Sequence, residues 1–202
     1  MRLRHCVVDV MDPSTLKARA SSQPRAALTT PSVPAPDLDR LTGLAPVFDA
    51  RVRVLVLGSF PGVASLQAAQ YYAHPRNAFW PVMAALLDEA NLPARPYAQR
   101  LQVLLQHRVG VWDAVASCQR DGSLDTAIVN AQPSDLPALL RRLPALRAIA
   151  CNGALAHKET LALLGDPGLP VLRLPSTSPA HAGLSLADKL AAWREALVPH
   201  LR

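Results

Sequence analysis

Cysteine is scarce in this sequence. The three thiols, Cys6, Cys118 and Cys151, lie far apart and include no C-x-x-C pair. An odd number at this spacing argues against a disulfide framework, and three thiols cannot supply a four-cysteine zinc or iron–sulfur site. This cysteine usage favours a reducing compartment, and we expect the protein in the cytoplasm.

Long apolar runs are also missing. No stretch reaches the roughly 18 residues that a membrane helix needs. The first eleven residues carry Arg2, Arg4, His5 and Asp9 and lack the apolar segment of a secretory signal. We therefore expect no membrane partner.

Acidic residues are fewer than basic ones. The 202 residues carry a formal net charge of +6, and half of them are hydrophobic. A basic balance favours an anionic partner, most often nucleic acid, although solubility alone is the simpler explanation. Residues 1–37 are rich in proline and poor in large apolar side chains, so we predict a disordered N-terminal extension. Residues 38–202 are predicted to form one domain.

The domain alternates between strand and helix patterns. Short β-branched or apolar runs begin near Val52, Val109, Ala148 and Val171, and helical spacing of leucines and aromatics separates them. This order predicts an α/β fold with a mainly parallel four-stranded sheet. In such sheets, ligands bind beyond the carboxyl ends of the strands.

Polar or Gly/Pro-rich segments follow each predicted strand and indicate a site at that edge. Gly58, Ser59, Phe60, Pro61 and Gly62 follow the first strand, but this turn alone is weak evidence. Asn152 follows the third strand, where its amide could form a tight turn or read a base edge. The loop from Ser176 through Ser178 to His181 could contact phosphate or serve only as a polar surface loop.

Aromatic residues make up only 4% of the chain, yet four of them lie in residues 71–80 beside His74 and Arg76. Rings next to cations suit stacking on a nucleobase and holding phosphate. The plainer interpretation is that Phe79 and Trp80 belong to the core and that Asn77 caps the following helix.

Together these segments resemble one protein family. Gly58 to Gly62, Gln70 to Trp80, Trp112-Asp113, Gly122 to Asp125, Asn152-Gly153 and Ser176 to Ala180 occur in the order found in hypoxanthine-DNA glycosylases. These enzymes are a branch of the uracil-DNA glycosylase superfamily. The resemblance covers about residues 41–197.

The resemblance implies a three-layer α/β/α sandwich that acts as a monomer on DNA containing deaminated bases, without a metal or organic cofactor. It implies a flipped-out hypoxanthine that is removed hydrolytically. Phe60 stands where mismatch-specific relatives have a water-positioning Asn. The resemblance to the hypoxanthine branch implies that Asn77, in the His74-Pro75-Arg76-Asn77 segment, positions the water instead. His181 is the candidate for the departing base or a nearby phosphate.

The remaining expected roles concern substrate binding. Tyr72 is expected to stack on the base, backbone groups at Ser59 and Phe60 to contact its edge, and Asn152 to read it. Since Lys17, Lys158 and Lys189 all lie outside the motifs, no Schiff-base lyase step is expected. Two alternatives stay open: a uracil-DNA glycosylase of the same fold, and a non-catalytic binder of damaged DNA.

Overall fold

The computed structural model describes residues 40–202. The predicted extension, residues 1–37, lies outside the described residues. Along the rest of the chain the strands are β1 (Leu41–Thr42), β2 (Val54–Gly58), β3 (Val109–Asp113), β4 (Val115–Gln119), β5 (Val129–Pro133), β6 (Ala148–Asn152) and β7 (Val171–Leu174). The helices are α1 (Val63–Ala68), α2 (Phe79–Leu87), α3 (Tyr97–Gln106), α4 (Leu136–Leu140), α5 (Ala154–Leu164) and α6 (Leu186–Leu201), with 3-10 turns at Leu92–Ala94 and Asp125–Ala127.

The four predicted strands form one parallel sheet in the spatial order β3-β2-β6-β7. The central strand β2 is buried along its whole length, as expected for a parallel strand covered on both faces. All four strands point the same way, so their carboxyl ends share one edge.

Alternate residues of β2 pack into two different cores. Val54 and Val56 belong to a cluster that includes Phe79 of α2 and Trp193 of α6. Leu55 and Leu57 belong to the cluster on the other face, which includes Leu136 of α4 and residues of α5. Helices thus cover both faces of the sheet, and the predicted three-layer α/β/α sandwich is confirmed.

A second sheet was not predicted from the sequence. Strands β1, β4 and β5 form it in the order β1-β4-β5, with antiparallel pairing. Only Ala114 separates β4 from β3, the β4–β5 register is irregular, and every residue of β5 is exposed. The short β5 segment alternates Val, Asn, Ala, Gln and Pro but buries neither face, and its terminal proline is typical of a turn, so it gives a weak strand signal.

Helices separate the parallel strands, as the leucine and aromatic spacing predicts. Helix α6 begins with a capping box between Ser185 and Asp188 and ends at Leu201. Helix α4 is short and ends at Leu140. Among residues 40–202, no helix combines the length and the apolar character required to span a membrane.

Candidate active site

The carboxyl ends of the parallel strands border a cavity of about 540 Å³. Segments after all four strands contribute to its wall, as the parallel topology requires. Every residue that the sequence assigned to the site lines this cavity: Gly58, Ser59, Phe60, Pro61, Tyr72, Asn77, Asn152, Ser176, Ser178 and His181. The structure therefore brings the predicted set together, and their individual roles stay predictions.

The turn after β2 is tightly packed against β3. A Cβ atom at Gly58 would lie only 2.3 Å from Oδ1 of Asp113, so glycine is required here for space. The Ser59 carbonyl accepts a hydrogen bond from Val115 N at 3.0 Å, and the Ser59 hydroxyl donates to Asp125 at 2.6 Å. A backbone contact from Ser59 to a base is made by its N–H group or by the second lone pair of its carbonyl oxygen.

Phe60 packs into a small hydrophobic cluster with Val115 and Cys118. The Arg120 guanidinium lies over its ring, 4.9 Å from the centroid, and also donates to the Pro61 carbonyl. An apolar ring held in this way cannot position a water by hydrogen bonding.

Tyr72 has one ring face already covered. Its ring stacks on Phe79 with centroids 3.8 Å apart and planes inclined by 20°. The backbone of Tyr72 is left-handed, with φ 55°, an unfavourable conformation for a bulky residue. Burial and the nearby charge of Asp113 raise the pKa of Tyr72 well above its usual range. The Asn152 side chain lowers this pKa in part, although the Tyr72 hydroxyl has no hydrogen-bond partner.

Asn77 holds the first N–H group of α2: its side-chain carbonyl accepts from Phe79 N at 2.9 Å. The N-cap residue itself is Ala78, which makes no side-chain capping bond, so Asn77 lies one residue before the cap position considered from the sequence. Asn77 also lines the cavity. The bond to Phe79 N and a second contact are compatible, because an amide oxygen has two lone pairs and its NH₂ group is a separate donor.

Asn152 is held from both sides of its amide by Thr177. Thr177 N donates to Oδ1 of Asn152, and Nδ2 of Asn152 donates to the Thr177 hydroxyl, both at 2.9 Å. The pair of bonds fixes the orientation of the amide. The second N–H of Asn152 is not used by Thr177, and the Asn152 side chain also acts on the Tyr72 hydroxyl, whose pKa it lowers.

The loop after β7 is anchored to its surroundings. Its Thr177 carbonyl accepts from Ala78 N, and Ser176 and Ser178 accept from backbone N–H groups two residues further on. His181 is exposed, and its carbonyl accepts from Lys189 Nζ at 2.8 Å. The lysine of α6 thus supports the loop, and it is absent from the cavity wall.

Two features of the wall were not assigned a role from the sequence. Asp113, at the end of β3, is almost fully buried, and burial raises the pKa of its carboxyl to about 7. Leu124 is 56% exposed at the rim, between Ser123 and Asp125, whose side chains bond to Val63 N and to Ser59. The motif positions signalled both residues, but only the fold places them at the cavity.

Known proteins resemble this chain over most of its length. The sequence pattern described as the uracil DNA glycosylase superfamily matches residues 45–201. The chain is 34% identical over 158 residues to a protein named hypoxanthine DNA glycosylase from Methanosarcina acetivorans, which covers 78% of this chain and 98% of the relative. It is 32% identical over 154 residues to a protein of the same name from Methanosarcina barkeri, covering 76% of this chain and 96% of the relative.

A solved structure agrees with the architecture. The solution NMR structure of a protein described as a candidate uracil DNA glycosylase from Methanosarcina acetivorans superposes with a TM-score of 0.68. The two sequences are 32% identical, and the match covers 77% of this chain and 98% of the other. Sequence and structure comparisons therefore lead to the same group of proteins.

Proposed function

The chain belongs to the uracil-DNA glycosylase superfamily, and we propose that it is a DNA glycosylase that removes hypoxanthine, the deamination product of adenine. The observation that carries this proposal is the identity of 32–34% with two proteins named hypoxanthine DNA glycosylase, over nearly their whole lengths. The cavity supports it, because the residues singled out by the family resemblance meet there.

The reaction requires the base to leave the double helix. A purine inside the stack cannot be reached, so the nucleotide is flipped into the cavity at a cost of a few kcal/mol. A deaminated base pairs poorly, which lowers this cost. Gly58 to Pro61, Tyr72 and Asn152 form the base pocket, and Ser176 and Ser178 bind the DNA backbone at its edge.

Hydrolysis then exchanges the base for water. The water oxygen bonds to C1′ of the sugar, the N-glycosidic bond breaks with its electron pair going to the base, and a proton ends on the base. The transition state has oxocarbenium character, as at other glycosidic centres. Asn77 holds the water through the second lone pair of its carbonyl oxygen, while Phe79 N occupies the first.

His181 acts on the side of the reaction opposite to the water held by Asn77. It stabilises the departing base or a nearby phosphate from the exposed loop after β7. We further propose that Leu124, an exposed apolar residue that also lines the cavity, packs against the base stack beside the flipped nucleotide, since apolar wedges commonly stabilise opened base steps.

The chain is expected to act as a monofunctional enzyme. No lysine lines the cavity among residues 40–202, so no amine is placed to form a Schiff base with the abasic sugar. The protein is further proposed to work as a monomer in the cytoplasm. Both statements are separate from the assignment of the reaction.

The test uses matched DNA duplexes that carry one hypoxanthine, one uracil or no lesion. We expect free hypoxanthine to be released fastest, and the strand to break only after alkali. Faster release of uracil would support the alternative that the protein is a uracil-DNA glycosylase. Tight binding of the hypoxanthine duplex without release of any base would support the alternative of a non-catalytic damage binder.

A further inference from the structure

Two buried polar atoms at the cavity lack a hydrogen-bond partner. They are the Tyr72 hydroxyl and Oδ2 of Asp113, each of which exposes less than 1 Å². Other buried unpartnered side-chain atoms occur on Arg100, Arg120 and Ser134. Within residues 40–202, Tyr72 and Asp113 are the residues of this group that line the cavity.

The two groups converge on the same point of the wall. Gly58 pairs with Asp113 in the register of β2 and β3. A Cβ atom at Gly58 would lie 2.3 Å from Oδ1 of Asp113 and 3.6 Å from the Tyr72 hydroxyl oxygen. The missing side chain of Gly58 thus leaves room for a carboxyl and a hydroxyl to lie close together.

Both side chains are held in place by their surroundings. The Tyr72 ring is fixed by its stacking on Phe79, and Asp113 is 4% exposed at the end of a buried strand. Buried polar groups in native proteins nearly always have a partner, because leaving one unpaired is costly. A pair of such groups beside one cavity indicates that a ligand supplies the partners, and because each atom exposes less than 1 Å², it does so as the two side chains turn toward it.

The donor and acceptor groups of Asp113 and Tyr72 determine which pattern of hydrogen-bonding groups a ligand must present to them. A carboxylate is an acceptor only, whereas a tyrosine hydroxyl can donate. Hypoxanthine presents a ring N1–H donor beside its O6 carbonyl acceptor. Adenine presents the reverse pattern, with an N6 amino donor beside an N1 lone pair.

We propose that Asp113 and the Tyr72 hydroxyl read the deaminated edge of the flipped base, with Asp113 accepting from N1–H and Tyr72 donating to O6. Adenine is rejected because its N1 lone pair faces the carboxylate. This inference rests on the proposed function, since it requires a flipped hypoxanthine in this cavity. Tyr72 then contacts the base through its hydroxyl, in addition to shaping the pocket with its ring.

The surrounding charges are consistent with this role. Burial, with a smaller contribution from Asp125 and against the effect of Arg120, raises the pKa of Asp113 to about 7. A hydrogen bond donated by N1–H of the base favours the charged form of the carboxyl and so opposes this rise. The Tyr72 hydroxyl keeps its proton, because burial and Asp113 raise its pKa.

The test compares hypoxanthine with 2′-deoxynebularine, a purine nucleoside that lacks both O6 and the N1 proton. Single-turnover excision of each base is measured for the full chain and for Asp113→Asn and Tyr72→Phe. The second variant keeps the aromatic ring and removes only the hydroxyl. Ser134→Ala is the matched control, because Ser134 Oγ is also buried and unpartnered but does not line the cavity.

We expect each site variant to lower the hypoxanthine-to-nebularine rate ratio by roughly tenfold to a hundredfold, the usual scale for one hydrogen bond involving a charged or buried group. Ser134→Ala should leave the ratio unchanged. If Asp113→Asn and Tyr72→Phe both leave the rate ratio unchanged while the wild type still releases hypoxanthine, these two residues do not recognise the base edge. The proposed function would then remain intact.

Binding provides a second readout that does not depend on catalysis. Affinities are measured for duplexes whose inosine or nebularine sugar carries a 2′-fluoro group in the arabino configuration, which resists cleavage. The wild type should prefer the inosine duplex, and both site variants should lose that preference. If the wild type excises nothing, this binding result still supports or refutes recognition of the base edge by the two residues, while the failed excision refutes the proposed function.

Discussion

The two ends of the parallel sheet each have a cavity, but the two cavities differ in chemistry. The one at the carboxyl edge measures about 540 Å³, and the one at the amino edge about 500 Å³. At the amino edge, Arg53 donates to the Leu201 carbonyl and His107 pairs with Glu89. No residue lining that cavity has a buried side-chain atom without a partner, within the described part of the chain.

The carboxyl edge differs by having polar groups that the fold does not satisfy. Asp113 and Tyr72 are buried there without a full set of partners, and Tyr72 adopts a left-handed backbone. Volume alone would not separate the two cavities. Buried polar groups without partners distinguish the carboxyl-edge cavity, because each one costs folding free energy that a ligand can offset.

Among substitutions at the two ends of the sheet, Asn77→Ser is expected to have the largest effect on the excision rate. A serine at this position can still accept from Phe79 N, so Asn77→Ser should change the free energy of unfolding by no more than about 1 kcal/mol. Its shorter side chain lacks the carbonyl that positions water, and the single-turnover rate should fall by roughly a hundredfold or more. Rapid-quench assays and urea titrations measure the two quantities.

The matched control for this prediction is Asn91→Ser. Asn91 precedes a 3-10 turn, is exposed and makes no side-chain capping bond. Near-normal excision by Asn77→Ser would assign Asn77 only to holding the first N–H group of α2. His181 would then become the main candidate for catalysis.

The next effect concerns stability at the carboxyl edge. The pKa of Asp113 is raised from 3.8 to about 7 by burial and by Asp125, against the effect of Arg120. Tyr71 and Tyr72 also lie near its charge. Between about pH 4 and pH 7 the folded protein keeps a proton that the unfolded chain has released, so stability falls as the pH rises through this window.

Asp113→Asn removes this penalty. Above pH 7 the variant should be more stable than the wild type by about 2 to 4 kcal/mol, since one pKa unit corresponds to about 1.4 kcal/mol. The gain should shrink towards pH 4. Urea unfolding at several pH values measures it, with the exposed Asp121→Asn as control; a gain independent of pH would disprove the linkage.

A smaller effect is expected at the rim. Leu124→Ala should weaken binding to the hypoxanthine duplex and slow excision by roughly fivefold to thirtyfold, because apolar contact with the base stack is worth about 1–2 kcal/mol. Leu161→Ala, an equally simple truncation of an exposed leucine on α5, serves as control. Equal behaviour of the two variants would remove Leu124 from the DNA contact.

The smallest effect should come from the amino edge. Arg108 is exposed and lines the cavity there. Arg108→Gln is expected to change the excision rate by less than about twofold, within the usual range for a surface substitution. A loss comparable to that of Asn77→Ser would break the contrast between the two ends and give the amino edge a part in the reaction.

The parallel sheet could be predicted from the sequence, whereas the antiparallel one could not. Strands such as Val54–Gly58 are continuous apolar runs between helical patterns, which is a strong signal. Val129–Pro133 is exposed along its length, and it pairs with the preceding strand β4 in an irregular register that no apolar face specifies. Helix α1, with six residues, is too short to show a reliable period.

The site was predicted as a set of residues, but not as a set of interactions. Strand ends and motif order were enough to bring Asn77, Asn152 and His181 to one cavity. That Asn152 is held by Thr177, or that Gly58 makes room for Asp113, depends on side-chain positions across neighbouring strands. Sequence spacing carries no information about such contacts.

The most direct test of the central claim is the identity of the products from a duplex with one hypoxanthine. Mass spectrometry should detect free hypoxanthine together with a full-length strand in which the base has been replaced by a hydroxyl group. The strand should break only when alkali is added. Recovery of the unchanged duplex after prolonged incubation with excess protein would contradict the assignment of this chain as a hypoxanthine-DNA glycosylase.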